Sequence, residues 1–170
     1  MSAVSFREAY RGDATAVATL ARRTFTDTFG YLYAPDDLEI FLARHTARAW
    51  AAEIADPAFA VRLVEADGGL VGYAKLGPPS LPFTPPAGAI ELRQFYLLDG
   101  WQGVGIAPKL MDWAIAEARG RGMTALYLSV FVDNHRARRF YLKRGFVEVG
   151  PYAFMVGNHA DEDIVMRLDL

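Results

Sequence analysis

The chain has 170 residues, of which 52% are hydrophobic and 22% charged, and this composition predicts one folded domain over residues 1–170 with a substantial core. Lys and Arg number 18 against 20 Asp and Glu, so the formal charge of −2 gives no basic field for nucleic acid or an anionic membrane. The absence of cysteine excludes disulfides, thiolate metal sites and a cysteine nucleophile. Charges at Arg7 and Glu8 interrupt any signal peptide and no apolar run reaches membrane-spanning length, so we expect a cytoplasmic protein.

Hydrophobic periodicity and turn residues predict a strand, three helices and a hairpin in the first half of the chain. The expected elements are a strand at residues 2–10, a helix from Asp13 to about Thr28, a helix after Pro35, a short helix from Thr46 to about Pro57, and strands at residues 58–65 and 70–76. Asp13 is the predicted N-cap of its helix, because its side chain can accept a backbone hydrogen bond there. The Asp-Gly-Gly sequence at residues 67–69 is typical of a hairpin turn.

The second half alternates strands and helices after a proline-rich loop. Residues 77–88 hold five of the nine prolines, which predicts a stiff surface loop. The elements expected beyond it are a strand at residues 89–98, a turn at 99–105, a helix at 106–119, a strand at 126–131, a helix at 134–144, and strands at 146–155 and 164–168. This alternation predicts an α/β arrangement around a mixed sheet.

The turn before the second-half helix has the sequence Gln-Gly-Val-Gly-Ile-Ala at residues 102–107. Glycines allow the backbone to approach a ligand closely, and the first N–H groups of a helix favour a phosphate. The spacing is neither that of a P-loop nor that of a dinucleotide-binding fold. On these residues alone, an ordinary tight connection between a strand and a helix remains the alternative.

Two motifs together resemble the GNAT superfamily of acetyl-CoA-dependent N-acetyltransferases. The Gln/Arg-x-x-Gly-x-Gly/Ala signature is met by Gln102, Gly105 and Ala107, and the Asn-x-x-Ala-x-x-Phe-Tyr-x-x-x-Gly-Phe signature by Asn134, Ala137, Phe140, Tyr141, Gly145 and Phe146. Within the superfamily the chain is most similar to the bacterial PaiA-type spermidine/spermine N-acetyltransferases, through residues 24–29, 72–76, 154–157 and 163–166. The resemblance implies a GNAT fold, with a mixed, mostly antiparallel sheet of about seven strands flanked by helices, in which splayed strands 4 and 5 hold the cofactor.

The resemblance also assigns residues to acetyl-CoA. They are Phe95, Tyr96 and Leu97 on the strand, Gln102, Gly103, Val104, Gly105, Ile106 and Ala107 in the turn, and Asn134 and Lys143 on the next helix. The turn is expected to bind the pyrophosphate through backbone N–H groups, and the strand backbone to pair with pantetheine and polarise the thioester carbonyl. Asn134 equally suits a helix N-cap. Pro108 departs from the family pattern because it lacks an N–H, which predicts somewhat weaker cofactor binding.

Two residues are assigned to catalysis by the same resemblance. Tyr141 matches the family tyrosine that protonates the leaving thiolate, and its alternative role is core packing beside Phe140. Glu91 lies at the strand position where several members carry a catalytic glutamate, so it is the expected base, and pairing with Arg93 is the alternative. A branch that acetylates the N-termini of ribosomal proteins places its acid on the next strand, where this chain has Ser129, and this counts against that branch.

The expected acceptor site draws on the first two helices. Its predicted acidic residues are Asp27, Asp36, Asp37 and Glu39, and its predicted aromatic walls are Phe29, Tyr31, Tyr33 and Tyr152. The last three of these acids also suit a helix N-terminus, which is the alternative. The histidines at positions 45, 135 and 159 lie on separate segments without metal-ligand spacing, so we expect surface histidines and no metal.

These observations predict direct transfer of acetyl from acetyl-CoA to a primary amine of a small molecule in a ternary complex, with a polyamine such as spermidine or spermine as the hypothesised acceptor. The alternatives are another amine, namely an amino acid, a peptide N-terminus or an aminoglycoside, and a non-catalytic acyl-CoA-binding module. Exposed apolar positions around Phe83 and the closing strands leave room for a homodimer. The proline-rich loop either covers the acceptor site or serves an interface.

Overall fold

The computed structural model describes residues 2–170 and contains a seven-stranded sheet with five helices. The elements are β1 (Ser5–Glu8), α1 (Ala14–Phe29), α2 (Pro35–Leu42), α3 (Ala47–Ala55), β2 (Ala60–Ala66), β3 (Gly69–Gly77), β4 (Ala89–Leu97), α4 (Ile106–Gly120), β5 (Ala125–Phe131), α5 (His135–Lys143), β6 (Val147–Val156) and β7 (His159–Asp169). Short 3₁₀ turns precede and follow α1, at Arg11–Asp13 and Gly30–Leu32. No helix among the described residues is both long enough and apolar enough to cross a membrane.

The strand order is β1-β2-β3-β4-β5-β7-β6. Every neighbouring pair is antiparallel except β4 and β5, which are parallel and joined by the α4 crossover. The predicted α/β architecture, with a mostly antiparallel sheet of seven strands and flanking helices, is therefore confirmed.

The core lies on both faces of the sheet because side chains alternate along each strand. On β5, Leu126, Leu128 and Val130 belong to the cluster that packs against α4 and α5. Tyr127 and Ala125 belong to a different cluster, on the face that α1, α2 and α3 partly cover. Residues with odd numbers on β5 and β7 thus point to the face of the first three helices, and this face carries the candidate site.

Asp13 does not cap α1 as predicted. Its backbone is already helical at the end of the preceding 3₁₀ turn, and no helix N–H donates to its side chain. The carboxylate instead accepts two hydrogen bonds from the Arg7 guanidinium, both at 2.8 Å, and one from the Tyr10 N–H at 2.9 Å. The ion pair with Arg7 lowers the pKa of Asp13. The Asp13 side chain therefore links β1 to the start of α1 through the ion pair with Arg7.

Candidate active site

The parallel strands β4 and β5 pair only at their beginnings. Residues 89–91 of β4 lie opposite residues 125–127 of β5, and beyond them the strands separate. The register of β4 against β3 shifts at Arg93, between Leu92 and Gln94, so a β-bulge bends β4 where the separation begins. Residues 92–97 are left with a free edge facing β5, along which backbone groups are available for hydrogen bonds.

A cavity of about 960 Å³ fills the gap between the two strands. Its wall runs from the glycine turn, past the free edge of β4, to the aromatic side chains of α1, β6 and the segment after α1. This size is at the upper end of the range for small-molecule and cofactor sites. The described cavity is thus large enough for two ligands that meet at the β4 edge.

The glycine turn adopts the conformation that only glycine accepts without strain. Gly103 and Gly105 have φ values of +76° and +87°, and Gly105 is the N-cap of α4 without a side-chain cap. The N–H groups of the first turn of α4 therefore have no capping side chain and suit an anion. Arg136 on α5 donates a hydrogen bond of 2.7 Å to Gln102 Oε1, which holds a guanidinium beside the turn.

Most of the residues that the sequence assigns to acetyl-CoA lie in the cavity wall. They are Phe95, Tyr96, Leu97, Gln102, Gly103, Gly105, Ala107 and Asn134. Val104 has an exposed side chain, Ile106 is buried in the core and Lys143 is exposed on α5, and none of the three lines the cavity. The predictions for Val104 and Ile106 concern backbone N–H groups, so they depend on the turn rather than on these side chains. Asn134 also caps α5, since its Oδ1 accepts a hydrogen bond of 3.3 Å from the Ala137 N–H.

Tyr141 lies between the two strands and is 8% exposed. Its ring packs against Phe95 and Phe140, with centroids 6.4 and 5.6 Å away, and it also lines the cavity. Core packing is therefore observed at this position, and the role of Tyr141 as an acid stays a prediction. Burial raises the pKa of the Tyr141 phenol, which keeps its proton on the oxygen at neutral pH.

Glu91 is 5% exposed and is fixed by the proline-rich loop. Its Oε1 accepts hydrogen bonds from the Ser80 N–H at 2.7 Å and the Ser80 hydroxyl at 3.0 Å. Arg93 does not pair with it, because the Arg93 guanidinium donates to the Pro78 carbonyl oxygen at 3.2 Å. Ser80 and Leu81 line the cavity, so part of the loop covers the site.

The acidic side chains of the cavity wall are not those predicted from the first two helices. Glu53, Glu91, Asp99, Asp161 and Asp163 line the cavity, whereas Asp27, Asp36, Asp37 and Glu39 do not. Asp37 accepts a hydrogen bond of 2.8 Å from the Asn158 N–H, and Asp27 forms an ion pair with Arg23 on its own helix. Of the predicted aromatic walls, Phe29, Tyr33 and Tyr152 line the cavity, while Tyr31 is 82% exposed elsewhere.

Asp161 and Asp163 lie two residues apart on β7 and share one face of the sheet. Each is only 7% exposed. Asp161 accepts a hydrogen bond from the Tyr33 hydroxyl, and its other oxygen is 3.2 Å from His159 Nε2. Burial and then the charge of Asp161 raise the pKa of Asp163 to about 7. The sequence prediction missed both residues because it began this strand at residue 164, whereas β7 begins at His159.

A buried lysine lies on the same face of the sheet as the acid pair, but on the other side of the gap between β4 and β5. Lys75 on β3 is 5% exposed, pairs with Glu53 of α3 and holds its Nζ 4.4 Å from the centre of the Trp50 ring. Burial lowers the pKa of Lys75. His45, expected at the surface, instead lines the cavity, and burial lowers its pKa to about 4, so its imidazole is neutral at pH 7. Among residues 2–170 no group of three His, Asp or Glu side chains is arranged to hold a metal ion.

Comparison with known proteins gives consistent matches. Residues 16–146 match the acetyltransferase (GNAT) family. An uncharacterized N-acetyltransferase of Mycobacterium tuberculosis is 35% identical over 159 residues, which cover 93% of this chain and 98% of that protein. The PaiA N-acetyltransferase of Thermoplasma acidophilum, solved in complex with coenzyme A, superposes with a TM-score of 0.79 at 19% identity over 99% of both chains. A ribosomal-protein-alanine N-acetyltransferase of Brucella melitensis superposes with a TM-score of 0.73 at 26% identity, over 98% of this chain and 99% of that one.

Proposed function

Since the chain belongs to the acetyltransferase (GNAT) family and is an N-acetyltransferase, we propose that it transfers acetyl from acetyl-CoA to a primary amine of a small molecule by direct attack in a ternary complex. The observation that carries this proposal is the free edge of β4, which runs between the glycine turn and Tyr141 in one cavity. No covalent acetyl-enzyme is required, because the cavity has room for both ligands.

The described residues fit coenzyme A. The pyrophosphate would lie at the N–H groups that begin α4, where the backbone at Gly103 and Gly105 approaches closely and Arg136 adds a positive charge. The amide groups of pantetheine match the unpaired backbone groups of β4 residues 92–97 in the way that an added strand would. A backbone N–H on this edge would also stabilise the oxyanion that develops on the thioester.

Tyr141 and Glu91 divide the proton transfers in the proposed reaction. The amine nitrogen forms a bond to the thioester carbonyl carbon, and the carbon–sulfur bond breaks. Glu91 takes the first proton from the ammonium group, directly or through water, which frees the nitrogen lone pair. Tyr141 gives its proton to the leaving thiolate and is reprotonated as the acylated nitrogen loses its second proton. Burial raises the pKa of the Tyr141 phenol, so the group carries its proton at the start of each turnover.

The acceptor that we propose is a polyamine. The supporting features are the buried carboxylates Glu91, Asp161 and Asp163 and the aromatic side chains beside them, which suit a cationic alkyl chain. The structural similarity to an N-acetyltransferase named PaiA is consistent with this choice. Another amine, or binding of acyl-CoA without catalysis, are the competing outcomes of the test below.

The test is release of free thiol from acetyl-CoA by the purified full-length protein. The chain has no cysteine, so a thiol reagent reports only coenzyme A. The amines would be spermidine, spermine, 1,4-diaminobutane, lysine, a peptide with a free N-terminus and an aminoglycoside. Saturable release with polyamines supports the proposal, and preference for another amine replaces the acceptor. Binding of acetyl-CoA by calorimetry without turnover would contradict the catalytic role.

The predicted homodimer stays a prediction, and the exposed edge strand β6 supports it. Val147, Val149 and Met155 on this strand are 61%, 52% and 43% exposed, and Phe83 of the proline-rich loop is 36% exposed. Exposed apolar side chains on an edge strand favour association of two chains. Light scattering of the purified protein would give the mass, and a mass of one chain across micromolar concentrations would contradict a dimer.

A further inference from the structure

Asp161 and Asp163 form a buried acid pair for which the described chain supplies little positive charge. Each is 7% exposed, and the one ion pair that either can form among residues 2–170 joins Asp161 to the His159 imidazole, which is 45% exposed. A buried carboxylate is costly unless a cation or several hydrogen bonds compensate it. The Asp163 carboxylate lines the cavity and has no ion pair within residues 2–170, and only the Ser129 hydroxyl favours its charged form by lowering its pKa. The carboxylate is thus positioned to bind a positively charged group of a ligand.

We propose that Asp163, supported by Asp161, binds a second ammonium group of the acceptor, at a distance from the amine that is acetylated. The ligand class is therefore alkyl diamines and longer polyamines rather than monoamines. This inference rests on the proposed function, because it assigns the substrate class of the same cavity.

Aromatic side chains surround the acid pair on the cavity side. Tyr33 donates to Asp161 and lies 5.5 Å, centroid to centroid, from His159. The rings of Phe29 and Phe131 meet edge to face at 6.1 Å, and both line the cavity. Ring faces attract an ammonium ion and also accept the methylene groups next to it. The wall thus suits a cationic alkyl chain better than a sugar or a carboxylate.

The acid pair is separate from the proposed reaction centre but close to it. Along β5, Glu91 of β4 lies opposite Tyr127, whereas Asp163 of β7 lies opposite Phe131, four residues further on. Burial, and then the charges of Glu91 and Asp163, raise the pKa of Tyr152. Among the acids that line the cavity, Glu91 would therefore serve the reacting amine and Asp163 a second charge. A monoamine can occupy only one of them.

The experiment compares 1,4-diaminobutane with n-butylamine, which has the same carbon chain and one amine. Rates of thiol release give kcat/KM for each amine in the wild type, in Asp163→Asn and in Glu162→Gln. Glu162 is the matched control, because it lies between the two acids on β7 but points to the opposite face and is exposed. We expect the diamine-to-monoamine ratio of kcat/KM to fall at least tenfold in Asp163→Asn and to stay within twofold in Glu162→Gln. The monoamine rate and the acetyl-CoA Kd should change little in Glu162→Gln, which lies outside the cavity.

An unchanged ratio in Asp163→Asn, or equal use of both amines by the wild type, would overturn the inference. Failure of the proposed function would look different, because then no amine, including n-butylamine, would release thiol. In that case calorimetry of 1,4-diaminobutane with the protein alone still tests the site. Binding that is lost in Asp163→Asn and kept in Glu162→Gln supports it, and absence of binding to the wild type overturns it.

Discussion

The Tyr141 hydroxyl is the group whose removal tests the proposed chemistry most directly. In Tyr141→Phe the ring still packs against Phe95 and Phe140, so the fold and the acetyl-CoA Kd should be retained. We expect kcat at pH 7 to fall about 10²-fold, the lower end of the contribution of a positioned acid. Steady-state kinetics with calorimetry would measure both effects. Tyr31→Phe is the control, since Tyr31 is 82% exposed and outside the cavity, and full turnover by Tyr141→Phe would remove the residue from the mechanism.

Asp163 makes the stability of the protein depend on pH. Its pKa is raised from 3.8 to about 7 in the folded chain. Between these two pH values the folded state therefore keeps a proton that the unfolded state has lost. Stability therefore falls as pH rises from about 4 to 7 on account of this residue. Asp163→Asn should unfold at higher temperature than the wild type at pH 8, by roughly 5 °C for a gain of about 2 kcal/mol.

The difference in Tm between Asp163→Asn and the wild type should shrink as pH is lowered toward 4, because the native Asp163 is then neutral as well. Thermal unfolding at several pH values would measure it, with Glu162→Gln as the control. The charge of Asp163 also acts on Asp161, Tyr33 and Tyr96, so a change in the titration of these groups contributes to the difference. A variant that is less stable than the wild type at pH 8 would contradict a buried, uncompensated charge.

At the residue level, the sequence identifies residues of the cavity wall where a local motif fixes the geometry. Gln102, Gly105 and Asn134 lie in the cavity wall, and all three belong to the signatures at the start of α4 and α5. Asp161 and Asp163 lie in the same wall but belong to neither of the two cofactor signatures, although Asp163 begins one of the segments that resemble the PaiA-type enzymes. Only the pairing of β7 with β5 and β6 buries them, and single-sequence patterns do not report that pairing. The alternation of Asp161, Asp163 and Val165 after a Gly-Asn turn was the available signal.

At the scale of elements, the first turn of α4 contains a proline where another residue would offer an N–H. Pro108 is the third residue of this helix and lines the cavity. One of the first N–H groups at the phosphate-binding end is therefore missing. Pro108→Ala should restore it and lower the acetyl-CoA Kd about threefold, close to the net value of one hydrogen bond. Calorimetry would measure the change, Pro57→Ala outside the cavity is the control, and an unchanged or higher Kd would show that this N–H does not meet the ligand.

The elements themselves follow the sequence closely where turns are marked by glycine, proline or a cap. Thr46 caps α3, as predicted, by accepting a hydrogen bond of 3.1 Å from the Ala49 N–H. The sequence predicts a last strand that is too short, because the Asp-rich residues 159–163 have low strand propensity by themselves. They extend β7 because β6 and the end of β5 supply partners on both sides. Tertiary pairing thus overrides local propensity at the place where the acid pair lies.

At the scale of the whole molecule, the sheet consists of two parts joined at one short seam. β1, β2, β3 and β4 form one part and β5, β7 and β6 the other, and residues 89–91 with 125–127 are the paired region between them. The remaining edge of β4 stays open, although a closed edge would satisfy more backbone groups. A ligand that pairs with this edge would complete hydrogen bonding that the protein leaves unfinished. The open seam therefore links the architecture to the proposed binding of acetyl-CoA.

Hydrogen exchange should show this link as local protection. Adding acetyl-CoA without an amine should slow exchange in peptides that cover residues 92–97 and the glycine turn at residues 102–107, because both gain hydrogen-bond partners. Peptides from β1 and β2, at the far side of the sheet, provide the internal control and should change little. If the ligand binds by calorimetry while residues 92–97 exchange as fast as before, it does not pair with β4, and the expected polarisation of its carbonyl by this strand would be wrong. Uniform slowing over all peptides would instead indicate a general gain in stability, without a specific contact at the seam.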